Sequence, residues 1–245
     1  MKVLQLNVWM GKMEGDLRAF FEKSDYDVIC LQEVVKSDNA TAHVSRLFFD
    51  ASKIIEASGM PYSKFFANWS SKIANGTMEM GNLVLSKIPI VSTEQIFVNG
   101  KYEEDLVLEA QPLNNTAVGI CKLENGLTVV VHHGYWDRNP LGVEKTVEAF
   151  SKVGEIVKPL ADSEPVVMCG DLNIVHEAPA FRALDFLRDL TYENGVETTL
   201  SGRKIPFKVP CDHILVNDKI EVKSFGVISE VVSDHLGIEA EIEIK

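Results

Sequence analysis

The chain has 245 residues, of which 46% are hydrophobic and 24% are charged, and its formal net charge is −12 at pH 7. This is the composition of a globular protein, and it excludes an intrinsically disordered chain. The negative charge argues against broad binding to nucleic acid, because phosphate binding depends on clusters of Lys and Arg. It disfavours a nuclease without excluding one.

Short apolar runs rich in Val, Ile and Leu recur along the chain and predict β-strands, several of them buried on both faces. In chain order the predicted strands are Val3–Val8, Val28–Gln32, Leu83–Ser86, Leu127–Val131, Val166–Cys169, Ile214–Val216 and Ile238–Ile244. Strands that alternate with helices early, followed by strand-rich segments late, predict α/β layers packed as a sandwich.

Amphipathic stretches with helical spacing separate several of these strands. They cover Leu17–Phe21, a segment from an Asp38-Asn39 start to Ile55, Leu141–Leu160, and Ala178–Leu187. The third has apolar positions at Val143, Val147, Phe150, Val153 and Val157, and Pro159 is expected to end it. The stretch Asn99–Asn115, rich in Glu and Asn, is the expected long surface loop.

The cysteines and the lack of a recognisable targeting signal indicate the cellular compartment in which the protein is expected. The cysteines are Cys30, Cys121, Cys169 and Cys211. They lie far apart in or beside apolar runs and lack the short spacing of a zinc site, so we expect buried free thiols. The first residues are typical of a strand rather than a signal peptide. No apolar run approaches the roughly 20 residues that span a bilayer. We expect one domain, residues 1–245, in the cytoplasm.

Polar residues with catalytic potential lie at the ends of the predicted strands, where a rigid backbone presents side chains to solvent. They are Asn7, Glu33, His132 and His133, Asp171 and Asn173, Asp212, and Asp234 and His235. Any one of them alone is better explained as a turn, capping or surface residue.

As a set, these residues fit one chemistry. Carboxylates with an Asn form a hard oxygen site suited to Mg²⁺ or Mn²⁺. Histidines beside it supply donors for a negatively charged transition state. Hydrolysis of a phosphoester needs this combination: a metal to neutralise the phosphate, groups to orient the attacking water, and a group to stabilise the leaving oxygen.

Six motifs, in this order, resemble the endonuclease/exonuclease/phosphatase superfamily, which has the deoxyribonuclease-I-like fold. They are Leu6-Asn7, Leu31-Gln32-Glu33, Gly81–Ser86, Gly170-Asp171-Leu172-Asn173, Asp212–Val216 and Ser233-Asp234-His235. One of these motifs alone would be weak evidence for the superfamily, but the ordered set covers nearly the whole chain. The resemblance implies an α/β (α+β) fold: a four-layer sandwich in which two mixed β-sheets pack face to face with helices on the outside.

The resemblance also implies roles on the metal and water side of the site. Glu33 would be the principal metal-ligating carboxylate, with Asn7 and Asp234 as direct or water-mediated contacts of Mg²⁺ (or Mn²⁺). Asp171 would orient or deprotonate the nucleophilic water. Asn173 would help to hold that water or the phosphate.

On the phosphate side, the resemblance implies that His235 contacts the phosphate while Asp212 orients its ring and favours the imidazolium. His133 would donate to a phosphate oxygen, with Glu79 placed to orient it. His132 stands where the family usually has a small hydroxyl residue. Strand alternation sends the two histidines to opposite faces, and the motif's register favours His133 as the one in the site.

Other aromatic and imidazole side chains leave alternatives open. Tyr135 and Trp136 form an exposed loop that stacks on a flat group, or they pack under the following helix; Trp9 carries the same ambiguity. His213 should point away from Asp212 and have a structural role. His43 and His176 lack support for catalysis, although His176 can lie at the rim.

The resemblance predicts a Mg²⁺- or Mn²⁺-dependent phosphodiesterase or phosphatase that acts by in-line attack of water. The substrate stays open among small-molecule, lipid and nucleic-acid phosphoesters. An abasic-site endonuclease is the alternative, and the weak basic cluster of Arg203, Lys204 and Lys208 disfavours it. A catalytically silent binding protein would lack one of the site residues, and none is missing. A dinucleotide-binding enzyme would need a Gly-rich loop after the first strand.

Overall fold

The computed structural model describes residues 1–38, 49–73, 76–105, 114–203 and 208–245. Within these residues, twelve strands form two six-stranded mixed sheets. Sheet A contains β1 (Lys2–Asn7), β2 (Val28–Ser37), β3 (Tyr62–Ile73), β4 (Gly76–Ser86), β11 (Ile220–Val227) and β12 (Ile238–Ile244). Sheet B contains β5 (Ile90–Asn99), β6 (Thr116–Leu123), β7 (Thr128–His132), β8 (Val166–Asp171), β9 (Arg188–Asp189) and β10 (Asp212–Val216).

The order is β11-β12-β1-β2-β4-β3 in sheet A and β5-β6-β7-β8-β10-β9 in sheet B. The pairs β1–β2 and β7–β8 are parallel, and the remaining pairs are antiparallel. Each sheet therefore places a parallel pair at its centre. All seven predicted strands lie within or largely overlap observed strands, and most observed strands are longer.

The described part of the chain has four α-helices, of which the three longer ones cover the outer faces of the sheets. They are α1 (Glu14–Lys23), α2 (Ala51–Ser58), α3 (Glu144–Ser163) and the short α4 (Leu190–Glu193), with 3₁₀ helices at Trp9–Gly11 and Pro179–Leu184. Helices α1 and α2 pack on the outer face of sheet A. Helix α3 and the second 3₁₀ helix pack on the outer face of sheet B. A third apolar cluster joins the inner faces of both sheets, so the predicted four-layer sandwich is confirmed.

Side-chain alternation along the central strands positions the site. Val3 of β1 packs between the sheets while Leu4 faces the helices. Asn7 shares the face of Val3, because residues two apart point the same way. In the same manner, Cys169 on β8 and Ile214 on β10 lie between the sheets and carry Asp171 and Asp212 with them. The polar ends of these strands thus meet in the cleft between the two sheets.

The sequence missed β3, β5, β6, β9 and β11. Four of them, β3, β5, β9 and β11, are edge strands, and edge strands carry polar residues that interrupt an apolar run. In β6, Gly119 breaks the pattern because its backbone lies against the ring of Phe66, where a Cβ has no room.

Three helix predictions are corrected. Helix α3 continues past Pro159 to Ser163, and it begins at Glu144 because Gly142 has a φ of +76°. Its buried stripe runs through Thr146 and Ala149, so Val143 and Val147 are exposed rather than buried. The predicted Ala178–Leu187 helix is the 3₁₀ helix alone.

The remaining predictions concern α2, the long loop and the cysteines. Helix α2 begins at Ala51, where the Asp50 side chain accepts a hydrogen bond from Ser52 N. Residues 39–48 of the predicted second helix and 106–113 of the predicted loop lie outside the described residues. All four cysteines are buried and free, as expected.

None of the helices in the described ranges combines the length and apolar character that crossing a membrane requires.

Candidate active site

Asn7 lies at the centre of the site and links two carboxylates. Its Nδ2 donates to Glu33 Oε1 (3.2 Å) and to Asp171 Oδ2 (3.0 Å). Its Oδ1 accepts a hydrogen bond from Trp9 N (2.9 Å). The backbone donor fixes which end of the amide faces the site, because a flipped amide would set a donor against a donor. Asn7 therefore bridges sheets A and B through its NH₂ group.

Glu33 reaches this position through a β-bulge. The β2–β4 register shifts between Leu31 and Val34, and Glu33 has a φ of +52°. A bulge re-aims a side chain, and a left-handed conformation costs a residue other than Gly about 1–2 kcal/mol. In the described part of the chain, its hydrogen bond comes from Asn7 and no Lys or Arg pairs with it. Such an acidic group fits a hard divalent cation.

Asp171 and Asn173 form a tight turn after β8. Asp171 is 2% exposed, and its Oδ1 accepts a hydrogen bond from Asn173 N (3.0 Å). Asn173 has a φ of +57°, and its Nδ2 donates to Gly134 O (3.2 Å). Gly134 is required here, because a Cβ would overlap the carbonyl of Leu172. The turn thus ties Asp171 and Asn173 to the segment that follows His133.

His235 and Asp212 form a buried pair next to Asp171. His235 Nδ1 donates to Asp212 Oδ2 (2.8 Å), and its Nε2 lies 3.7 Å from Asp171 Oδ2. Burial opposes ionisation of both groups. The Asp212 and Asp171 carboxylates nevertheless raise the pKa of His235 well above its ordinary value. His235 in turn, together with hydrogen bonds, lowers the pKa of Asp212. These contacts favour the imidazolium form of His235, whose Nε2 faces the Asp171 carboxylate.

Two glutamines extend this network across the cleft. Gln5 Nε2 donates to Asp212 Oδ1 (3.2 Å), and Gln5 and Gln32 are hydrogen-bonded to each other. The sequence interpretation missed both. The signal for Gln5 is its place two residues before Asn7 on the same strand face, and the signal for Gln32 is the Leu-Gln-Glu motif itself.

Only one of the two adjacent histidines faces the site. His133 is 22% exposed in its side chain, and its Nε2 lies 3.6 Å from Asp171 Oδ2. His132 is fully buried on the opposite face; its Nδ1 donates to Ala117 O (3.0 Å), and its ring packs edge-on against Phe150. The structure therefore places the two rings as the motif's register predicted.

His132 makes the fold acid-sensitive. Burial lowers its pKa from 6.5 to about 4. Between pH 6.5 and about 4, His132 is therefore protonated in the unfolded chain but neutral in the folded chain. The free energy of unfolding then falls by about 1.4 kcal/mol for each pH unit of acidification. We expect His132→Phe to remove about 2–3 kcal/mol of the loss between pH 6.5 and 4.5, measured as urea unfolding midpoints of both proteins at each pH. An identical pH slope in the variant would contradict this assignment.

A group of four potential metal ligands also lies here: Asp171, Cys211, Asp212 and His235 have ligand atoms within 4.8 Å of one another. It differs from the predicted metal set of Glu33, Asn7 and Asp234. Burial raises the pKa of the Cys211 thiol to about 12. A thiol is a soft ligand that a hard cation disfavours, and Asp212 and His235 pair with each other. We therefore favour the Glu33–Asn7–Asp171 side for a hard cation. Asp234 is 6% exposed, and its Oδ1 accepts a hydrogen bond from Ser233 (3.3 Å).

Several other predicted residues lie away from this centre. Glu79 accepts hydrogen bonds from Lys36 (3.4 Å) and Tyr102 (3.2 Å), so its predicted pairing with His133 is not what the described contacts show. His213 is buried against Asp189, on the other face of β10 from Asp212. His43 lies outside the described residues.

The aromatic side chains for which the sequence left both a packed and an exposed position open differ in where the structure places them. Tyr135 packs against the apolar cluster under α3, whereas Trp136 is 45% exposed. Trp9 is partly exposed, and the Lys12 ammonium lies 4.6 Å from the centre of its ring. His176 stacks on Tyr192 with a centroid distance of 3.8 Å.

The two face-to-face mixed sheets are the deoxyribonuclease-I-like sandwich, an architecture of phosphoester hydrolases. The chain belongs to the endonuclease/exonuclease/phosphatase family, whose sequence model matches residues 4–235. Members of this superfamily hydrolyse phosphoester bonds and generally depend on a divalent metal. Among proteins of curated function, no sequence matches the chain significantly.

Solved structures show the same fold at low sequence identity. The endonuclease/exonuclease/phosphatase from Bacteroides vulgatus superposes with a TM-score of 0.70 at 15% identity, over 100% of this chain and 98% of that one. A mannosyl-6-phosphatase from Bacteroides thetaiotaomicron superposes with a TM-score of 0.66 at 16% identity, over 100% of both chains. Sphingomyelinase C from Streptomyces griseocarneus superposes with a TM-score of 0.63 at 18% identity, over 98% of both chains.

Proposed function

We propose that this protein is a divalent-metal-dependent phosphoester hydrolase that acts by in-line attack of water. One observation carries the proposal: Asn7 bridges the carboxylates of Glu33 and Asp171, and the Nε2 atoms of His133 and His235 both lie within 4 Å of Asp171. Acidic and cationic groups that converge on one cleft are what a phosphate and its counter-cation require.

Glu33 would hold Mg²⁺ or Mn²⁺, with Asn7 and Asp234 nearby. The bound cation would neutralise phosphate charge. Asp171 would accept a proton from the attacking water as the new P–O bond forms and the bond to the leaving oxygen breaks. The turn to Asn173 holds Asp171 in one orientation.

The two histidines would act on the phosphate. The His235 imidazolium, kept charged by Asp212, would donate its Nε2–H to a phosphate oxygen, and His133 would donate from its Nε2, which lies near the same Asp171 oxygen. Charge-assisted donors in a buried site are stronger than neutral ones. Asp212 is a positioning residue here, because it acts through His235.

The known chemistry of structural neighbours supports a broad substrate class. One neighbour is a mannosyl-6-phosphatase and another is a sphingomyelinase C, so the same fold serves different phosphoesters. The net charge of −12 favours a small or uncharged substrate body over duplex DNA, since duplex binding relies on Lys and Arg.

The metal requirement is tested with p-nitrophenyl phosphate and bis-p-nitrophenyl phosphate. We expect EDTA to lower the rate on the preferred substrate at least about 100-fold, because a catalytic metal contributes several kcal/mol, and excess Mg²⁺ or Mn²⁺ to restore it. Full activity in chelator would refute the metal mechanism.

Metal binding has a readout that does not need activity. A cation at about 100 times its Kd stabilises the folded state by about 2.7 kcal/mol, so we expect it to raise the melting temperature of the wild type but not of Glu33→Gln. Glu79→Gln is the matched control, since Glu79 is paired with Lys36 away from the site. A cation shift that persists in Glu33→Gln would remove Glu33 from the metal set.

A further inference from the structure

Apolar exposure is concentrated in one short segment. Among the described residues, eight large hydrophobic side chains are exposed, and half of them fall within twelve consecutive residues. These four, which we call the apolar rim, are Trp136 (45%), Leu141 (49%), Val143 (37%) and Val147 (43%). Single exposed apolar residues are ordinary, but a group of them marks an interaction surface.

Hydrogen bonds hold the rim in place. The Asn114 side chain clamps Trp136, accepting from its backbone N (2.8 Å) and donating to its backbone O (3.1 Å). Asn139 does the same for the next turn, where its Oδ1 accepts from Leu141 N (3.1 Å) and its Nδ2 donates to Gly142 O (3.1 Å). The backbone that carries Trp136 and Leu141 is therefore held by side-chain hydrogen bonds, so little backbone entropy remains to be lost on binding.

The rim is continuous with the proposed active site. Trp136 follows His133 by three residues, and Gly134 N donates to Asp171 O (2.8 Å). Within the segment, Pro140 O accepts a hydrogen bond from the backbone N of Val175 (3.0 Å), and Val175 follows Asn173 by two residues. A molecule that covers the rim therefore lies beside the turn that carries Asp171.

The charges of the segment indicate the kind of partner. Residues 136–148 contain Arg138 and Lys145 against Asp137, Glu144 and Glu148, a net charge of −1 on a chain of −12. An anionic membrane or a polynucleotide requires a basic cluster. A zwitterionic bilayer does not, and an indole prefers its interface while Leu and Val enter its apolar region. Aliphatic side chains also lack the flat faces that nucleobases stack on.

We propose that the apolar rim docks on the surface of a zwitterionic lipid bilayer and brings the site to an amphipathic phosphoester held there. This inference rests on the proposed function for its substrate, but the docking itself is independent of catalysis. The apolar part of the substrate stays in the bilayer while its phosphate reaches Asp171 and the two histidines.

Binding is tested first, by flotation with phosphatidylcholine vesicles in EDTA, so that hydrolysis does not interfere. We expect the wild type to float with the vesicles and the double variant Trp136→Ser/Leu141→Ser to bind at least about tenfold less, because two apolar side chains are lost. Val91→Ser is the matched control: Val91 is 61% exposed on β5, outside the rim, and we expect it to bind like the wild type. The proposal would be overturned if the wild-type protein stayed in the bottom fraction of the gradient, or if the double variant floated with the vesicles to the same extent as the wild type.

Activity then separates this proposal from the proposed function. The double variant should hydrolyse a soluble phosphodiester as the wild type does and lose activity only on substrate in vesicles, with an unchanged melting temperature. A wild type inactive on every soluble phosphoester would count against the proposed function and leave the vesicle result standing. If gel filtration shows a wild-type dimer that the double variant loses, the rim is a contact between two copies, and bilayer docking is wrong.

Discussion

Replacing Asp171 with Asn is expected to lower kcat by about 10²–10⁴-fold, the usual contribution of a positioned proton acceptor. The carboxylate now accepts hydrogen bonds from Asn7 Nδ2 and Asn173 N while facing His133 and His235. An Asn side chain has one oxygen in place of two, so one of these contacts becomes donor against donor. The lost charge also removes the acceptor for the water proton. The measurement is kcat on the preferred soluble phosphoester at saturating Mg²⁺ or Mn²⁺.

Glu33→Gln should behave differently from Asp171→Asn. Loss of a metal-ligating carboxylate raises the metal concentration needed for half-maximal rate, and excess metal then recovers part of the activity, which it cannot do for Asp171→Asn. Asp137→Asn, on the loop after His133, is the neutral control. An Asp171→Asn enzyme within about tenfold of the wild type at saturating metal would exclude Asp171 as the proton acceptor.

The second large effect is on stability. Asp189 has a fully buried side chain, and its Oδ2 accepts hydrogen bonds from His213 Nδ1 (2.9 Å) and His176 Nδ1 (3.0 Å). His213 Nε2 also donates, to Ile174 O (3.0 Å), so both of its nitrogens carry protons. Removing one member of a buried ion pair leaves the other unpaired, and Asp189→Asn should cost about 3–5 kcal/mol of unfolding free energy.

The pH dependence of this loss follows from the two pKa shifts. Burial opposes both charges, but the pairing lowers the pKa of Asp189 from 3.8 and raises that of His213 from 6.5. The carboxylate's contribution is present above pH 3.8 and disappears as the pH falls through its folded pKa. The imidazolium's contribution is complete below pH 6.5 and disappears as the pH rises through its folded pKa. The deficit of Asp189→Asn should therefore be largest between those values.

Urea unfolding at pH 6 and at pH 9 measures this deficit. We expect a smaller difference between wild type and variant at pH 9, where His213 can be neutral. His176→Gln is the control, because His176 is 31% exposed in its side chain and exposed pairs contribute only about 0–1 kcal/mol. An Asp189→Asn loss below about 1 kcal/mol at pH 6 would mean that the pair is not charged as described.

The sequence predicted the parts of this molecule that depend on periodicity. Buried central strands such as β8 are uninterrupted apolar runs, and strand alternation was enough to separate His132 from His133. The edge strands were missed because solvent on one side allows polar residues at any position. Pro159 was misjudged because a helix tolerates proline when packing against a sheet supports the surrounding turns.

The fine geometry of the site depends on contacts between residues distant in sequence. Asn7 was expected to contact the metal, yet its orientation is set by Trp9 N, and its NH₂ group donates to Glu33 and Asp171, which lie 26 and 164 positions further along the chain. The β2 bulge exists only in the pairing with β4, so the sequence of β2 alone does not reveal it. Cys211 and Gln5 joined the network for the same reason.

The left-handed backbone at Glu33 and Asn173 has a consequence for evolution. Glycine would relax Glu33 by about 1 kcal/mol, but it would gain little at Asn173, because Asn tolerates this conformation and donates to Gly134 O. Selection for heat resistance alone would therefore favour glycine at position 33 and remove the Glu33 carboxylate from the cleft. Only selection for turnover opposes that drift, so a thermostable lineage that has lost its substrate should become a well-folded protein whose cleft lacks this carboxylate.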